Sequence, residues 1–399
     1  MGYTAVERQI SSHFRGNLLE GVIPGAGVTV NARRFCSAVD SSVPDGQDVP
    51  GLFRALFRSG EVEESNRDFS YYIMIPAGVH DKLSAEGAGT AADESGRRGA
   101  IILLHGLNER SWAKYIQWGS RLAENTGRPV VLFPLAYHMN RSPRSWIDRH
   151  IMMPLVSARQ ALLPDTRLST FVNVALSTRM TVSPQRFMLS GYQTAGDLAA
   201  LIRSIREGSI PGIDAGGPTD IFAYSIGALM TQVMMLSDPS PLPDDSRIML
   251  FCGGSAFSMM NGTSRLIMDS RAFEMLLSFY VRWPEGAMNG GRERLIRLMN
   301  DTPEGEAFYA MTSQQRLKDL RGRPFSRYDT RLKAVTFKED TVIPAKAIIE
   351  TLRGADVEVW NPDYPYTHES PFPVLAGDKG NEVDRTFDRL FETAAGFLS

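Results

Sequence analysis

The stretch IFAYSIGALMT, Ile221 to Thr231, decides how this chain is read. A β-branched and aromatic run reaches Ser225, and a small-residue turn then opens a helix-forming segment. Two readings compete: a nucleophile held on a sharp strand-to-helix turn, or a serine capping a helix, which suffices at any such junction. The local pattern is one residue short of Gly-x-Ser-x-Gly, because Ala223 stands at the first glycine position. Such a turn brings strand and helix close together, so the residues two before and two after the serine must be small. Ala223 and Gly227 meet that condition, with one extra methyl group at Ala223. The decision therefore rests on partners elsewhere in the chain.

Around that stretch the sequence alternates strand and helix. Short apolar runs of buried-strand type are AIILL (Ala100–Leu104), RPVVLFPL (Arg128–Leu135), TDIFAYS, RIMLFCGG (Arg247–Gly254) and LKAVTFK (Leu332–Lys338). FSYYIMIP (Phe69–Pro76) and VEVWN (Val357–Asn361) add two more. Helical patterns fall between and after them: SWAKYIQWGSRLAENTG, closed by Gly127, then TAGDLAALIRSIREG (Thr194–Gly208), IGALMTQVMML, AKAIIETLRG and FDRLFETAAGFL. This alternation predicts an α/β fold with a mostly parallel sheet covered by helices on both faces.

Two stretches break the alternation: residues 141 to about 193, and the Met-, Phe- and Arg-rich segment from Ser255 to about Pro324, which reads as helical. An insertion at the C-terminal edge of a parallel sheet is placed to roof a pocket there. The expected organisation is an N-terminal extension over residues 1–68, a core over 69–254 and 325–399, and a helical cap over 255–324. The polar, small-residue segment from His80 to Gly99 is expected to be a mobile loop.

Composition excludes several classes. The chain has 399 residues, 43% hydrophobic and 22% charged, with a net charge of -2. That charge gives no global drive toward nucleic acid or an anionic membrane. Two cysteines, Cys36 and Cys252, make neither a disulfide framework nor a metal-ligand pattern. The first residues carry no apolar secretory core, Val6 breaks a myristoylation pattern, and no apolar run approaches the ~20 residues of a membrane helix. The expectation is a cytoplasmic protein needing no metal or cofactor and binding neither nucleic acid nor membrane. Its oligomeric state is left open.

Three partners give Ser225 its weight. In LLHGLNERS (Leu103–Ser111) the His105-Gly106 pair lets the next backbone approach a reacting carbonyl, so the Leu107 and Ile226 N–H groups are candidates for an oxyanion hole. His105 itself is read as a structural histidine holding that loop. In FKEDTVIP, Asp340 follows a strand and shares the edge where Ser225 sits; Glu339 is the alternative, with its side chain expected on the other side. In PYTHESPF, His368 alone of six histidines follows both Ser225 and Asp340. The order Ser, acid, His belongs to one hydrolase architecture and to neither the trypsin-like nor the subtilisin-like one.

These residues make the chain resemble the α/β-hydrolase superfamily from about Phe69 onward, on HGLN, AYSIGA, KEDTVIP and THES. The run LSTRMTVSPQRFMLSGYQTAGDL (Leu176–Leu198) resembles a small bacterial subgroup of it. The resemblance implies Ser225 as nucleophile, His368 as general base and acid, and Asp340 as orienting carboxylate, with a small-molecule acyl substrate, most simply a carboxylic ester. It leaves open a thioester or small amide, an acyltransferase using the same three residues, and a non-enzymatic binding scaffold. His138 and His150 are further candidates from the first irregular stretch. Arg265, Arg271 and Arg282 are candidates for binding an acidic substrate group, against the plainer reading of a solvated helix face.

Overall fold

The computed structural model describes residues 2–4, 21–23, 27–39, 51–57, 60–77, 99–282, 293–320 and 325–399. All but the last residue of the expected loop from His80 to Gly99 lies outside them.

The apolar runs become the centre of a nine-stranded sheet: β1 (Gly21–Val22), β2 (Val28–Cys36), β3 (Asp68–Pro76), β4 (Ala100–Leu104), β5 (Val130–Leu132), β6 (Thr219–Tyr224), β7 (Ile248–Phe251), β8 (Leu332–Phe337) and β9 (Asp356–Trp360). Their spatial order is β1-β2-β3-β5-β4-β6-β7-β8-β9. Pairings from β1 to β5 through β3 are antiparallel, and every pairing from β5 to β9 is parallel. The sheet reverses its winding at β4, and β6 lies beside it at the centre.

Both faces of the central strands are buried, which is why β4 and β6 read as unbroken apolar runs rather than as alternation. Ile102, Leu104, Ile221 and Ala223 point into one core with the helices Gln185–Arg206 and Ile226–Leu236. Ile101, Leu103, Phe222 and Tyr224 point into the other, against the helices Ala113–Thr126 and Gly377–Leu398. This is the α/β-hydrolase fold. No helix among the described residues is long and apolar enough to cross a membrane.

The N-terminal stretch contributes more order than its composition suggested, since β2 pairs with β3 along nine residues from Val28↔Pro76 to Cys36↔Asp68. The first irregular stretch is largely helical, with helices Arg149–Leu162 and Val174–Val182. The long helix after it starts at Gln185, nine residues before the pattern that signalled it. Gly191 obscured that start. A Cβ there would lie 2.5 Å from the Phe308 ring, so glycine answers to the close approach of the second insertion rather than to a turn.

Candidate active site

Ser225 occupies the junction of β6 and the helix Ile226–Leu236 with φ 56° and ψ −116°. A non-glycine residue pays for that conformation and keeps it only where its surroundings enforce it. The enforcement is steric on one side. A Cβ at Gly227 would meet Leu104 Cβ at 2.7 Å and its backbone at 3.0 Å, and a Cβ at Gly253 would meet Ser225 backbone at 3.0 Å. The helix-cap reading fails on geometry: the Ser225 side chain makes no capping hydrogen bond.

Its hydroxyl instead lies 2.7 Å from His368 Nε2. His368 Nδ1 lies 2.7 Å from Asp340 Oδ2, and Asp340 Oδ1 accepts from the Val342 and Ile343 N–H groups at 2.9 Å each. With the second carboxylate oxygen committed to backbone, the first is aimed at the imidazole. That assigns the Nδ1–H tautomer and leaves Nε2 as acceptor for the serine proton. All three side chains are buried. Glu339 is exposed, and its backbone N–H donates to the Tyr366 hydroxyl at 2.8 Å.

His105 is fully buried between two loops. Nδ1 donates to the Gly106 carbonyl at 2.9 Å, and Nε2 accepts from the Leu135 N–H at 3.0 Å. The Gly106 carbonyl and the Leu107 N–H belong to one trans peptide and point opposite ways, so the imidazole fixes the direction of that N–H. Gly106 N–H in turn donates to the Tyr115 hydroxyl at 2.9 Å, and Gly227 N–H to the His105 carbonyl at 3.2 Å. The Leu107 and Ile226 N–H groups have no acceptor among the described residues, and both residues line the cavity that Ser225 faces.

Burial, with the nearby charges of Lys114, Arg110 and Arg141, pushes the His105 pKa down to about 3. Unfolded, the same group titrates near its ordinary 6.5. Below that value the unfolded chain binds a proton that the native chain refuses, so stability falls as pH drops from about 6.5 toward 3. The expected loss attributable to His105 is ~2–3 kcal/mol by about pH 4.5. Denaturant titrations of wild type and His105→Gln across that range check it. The variant is expected to be less stable at neutral pH with a shallower pH slope, part of the slope remaining because burial also holds His138 well below its usual range. An unchanged slope would refute the assignment.

Tyr224, immediately before the serine, is a site residue that the motif did not single out. Its ring stacks on His368 at 5.5 Å and 18°, and its hydroxyl donates to the His368 carbonyl. Lys114 Nζ sits 4.8 Å from that ring and donates to the Glu369 carbonyl at 3.1 Å. The loop carrying His368 is therefore tied to β6 through Tyr224 and to the helix Ala113–Thr126 through Lys114. Among the other sequence candidates, His138 lines a neighbouring cavity, whereas His150, Arg265, Arg271 and Arg282 are exposed. Among the described residues no group of three or more His, Cys, Asp or Glu side chains is arranged to hold a metal.

A family model described as a family of unknown function, DUF6051, matches residues 57–399. The chain belongs to the DUF6051 family. No curated protein matches the chain. Similar solved structures include carboxyl esterase 2 of the mycorrhizal fungus Tuber melanosporum, at 10% identity and TM-score 0.43, covering 99% of this chain and 98% of that one. A thermostable esterase from Pseudomonas putida ECU1011 has 10% identity and TM-score 0.42, covering 99% and 89%. An esterase of Pyrobaculum calidifontis has 10% identity and TM-score 0.41, covering 99% and 91%. The matched span of the DUF6051 model includes Ser225, Asp340, His368 and the His105 loop.

The cavity at Ser225, open to solvent, spans about 390 Å³ and is apolar. Phe257, Met260, Ile267, Met268 and Phe273, all from the segment after β7, line it together with Val342 and Ile343. The same backbone that orients Asp340 thus also shapes the pocket.

Proposed function

We propose that this DUF6051 protein is a serine hydrolase cleaving a carboxylic ester of a small molecule through an acyl-enzyme on Ser225. The observation that carries the reading is the hydrogen-bonded chain from Ser225 Oγ through His368 to Asp340, with the serine on a strained turn. In this reading His368 Nε2 takes the Ser225 proton as Oγ attacks the ester carbon. The Leu107 and Ile226 N–H groups stabilise the oxyanion. Collapse of the tetrahedral species breaks the bond to the alcohol oxygen, which leaves with the proton from His368. Water then attacks the acyl carbon, giving its proton to the same imidazole, and the second collapse returns that proton to Ser225 as the acid departs. Asp340 keeps the imidazole in the required tautomer and stabilises its protonated form. The proposed cap, over residues 255–324, supplies the apolar wall.

A fluorophosphonate probe tests the reading directly. Wild type is expected to label stoichiometrically at Ser225, and Ser225→Ala and His368→Gln to label at background. A folded wild type that stays unlabelled would remove the proposed nucleophile.

A further inference from the structure

A second cavity, with about 620 Å³ of empty space, adjoins the first and shares Leu107, Ile226 and Phe187 with it. Its character is different, because Arg110, His138, Arg179 and Arg186 all line it. Elsewhere this chain neutralises buried arginines one by one: Arg128 with Asp220 at 2.5 Å, Arg141 with Asp197 at 2.8 Å and Arg159 with Asp269 at 2.6 Å. Arg110 and Arg179 form no ion pair among the described residues.

Both guanidinium groups lie 5.0 Å from the Trp146 ring. Arg179 is 2% exposed, and its Nη1 donates to the Leu56 carbonyl. Arg110 donates to the Tyr137 carbonyl at 2.8 Å and to Asn108 Oδ1 at 2.7 Å, while its buried Nε meets no acceptor. His138 donates from Nδ1 to the Ala136 carbonyl at 2.8 Å, and its buried Nε2 likewise has no partner. Two carboxylates act on these arginines without pairing with them: Glu109, which pairs with Lys114, and the exposed Glu63, whose Oε2 accepts from the Tyr137 hydroxyl at 3.5 Å. Burial and the Arg179 charge lower the pKa of Arg110 to about 9, and burial and the Arg186 charge lower that of Arg179 to about 10.

The wall is also held under strain. Tyr137 and Met139, flanking His138, have φ of 63° and 48°. Successive N–H groups of that loop are taken by His105, Thr194 and Asn66 side chains at 3.0 Å each. A loop locked in this way beside cations that no direct ion pair neutralises fits a preorganised ligand site better than a packing defect.

We propose that this second cavity is the subsite for a carboxylate on the substrate, held by Arg110 and Arg179. The ester cleaved at Ser225 then joins an acid-bearing half, lying here, to a hydrocarbon half in the apolar cavity. A planar guanidinium fork matches a carboxylate, and a monoanion costs less to desolvate against aromatic walls than a phosphate dianion. This assignment of substrate class rests on the serine-hydrolase reading, with Ser225 lining the apolar cavity and its neighbour Ile226, with Leu107 and Phe187, lining both.

The test uses two pairs of matched esters: monobutyl succinate against butyl isocaproate, and γ-acetoxybutyrate against isohexyl acetate. The pairs place the charge on the acyl side and on the alcohol side respectively. Calorimetry on Ser225→Ala, which removes turnover, is expected to give at least about tenfold tighter binding of the acid in one pair, and wild-type kcat/KM the same preference. Arg179→Met and Arg110→Gln are each expected to lower that preference about tenfold. If Arg179→Met does not fold, Arg110→Gln and the wild-type preference still decide. Equal or tighter binding of the neutral ester in both pairs overturns the subsite, even when fluorophosphonate labels Ser225. A preference for the acid in binding without labelling supports the anion site and removes the hydrolase reading instead.

Discussion

Ser225→Ala is expected to lower kcat/KM for ester hydrolysis by about 10⁴-fold or more while leaving the fold intact. The size follows from what the hydroxyl does in the proposed mechanism: it forms and breaks a covalent bond, and among the described residues no other nucleophilic side chain lines its cavity. The residual rate would come from binding and from the Leu107 and Ile226 N–H groups alone. Stability should change little. Among the described residues the Ser225 side chain bonds only to His368, and alanine at φ 56° is strained much as serine is. His368→Gln is expected to cost about as much, and the double variant little more, because the two act as one unit. Steady-state kinetics with thermal melts on all three variants check this. A Ser225→Ala enzyme within tenfold of wild type, freed of contaminating esterase, would sink the nucleophile assignment.

Much of the sheet was legible because strands buried on both faces have only one way to be written, as continuous apolar runs. The edge was not: β2 carries Arg33 and Arg34 and buries one face in part, so its residues read as broken patches. The serine motif was legible only through its distant partners, and the structure shows why Ala223 does no harm. Its Cβ turns into the core with Ile221, while the tight approaches fall at Gly227 and Gly253. The arginine cluster escaped the sequence for a different reason. Arg110, Arg179 and His138 come from three separated segments, and no spacing announces their convergence. Sequence patterning instead drew attention to Arg265, Arg271 and Arg282, which lie on solvated surface.

Asp269→Asn is expected to destabilise the protein by ~3–5 kcal/mol at neutral pH, because it leaves a buried guanidinium without its counter-charge. Asp269 receives Arg159 Nε at 2.6 Å and Nη2 at 2.9 Å, the Ser169 hydroxyl, and the Ala272 N–H at 3.0 Å. One carboxylate thus joins the helix Arg149–Leu162, the loop after it, and the start of the helix Ser270–Leu277. Burial alone would raise its pKa, yet the Arg159 and Ser169 bonds outweigh that and hold it below the usual value of 3.8. A depressed carboxylate stabilises the fold above its unfolded pKa and loses that contribution as pH falls through the folded one, so the effect is complete at neutral pH. Replacing both partners, Arg159→Met with Asp269→Leu, should recover most of the loss, since no charge then remains to be solvated. Urea denaturation of the single and double variants measures both terms, and a single-variant loss below about 1 kcal/mol would refute the argument. The consequence reaches the pocket, because Ile267 and Met268, just before Asp269, line the cavity at Ser225. KM for an apolar ester is therefore expected to rise in Asp269→Asn even where the variant remains folded, and to return in the double variant.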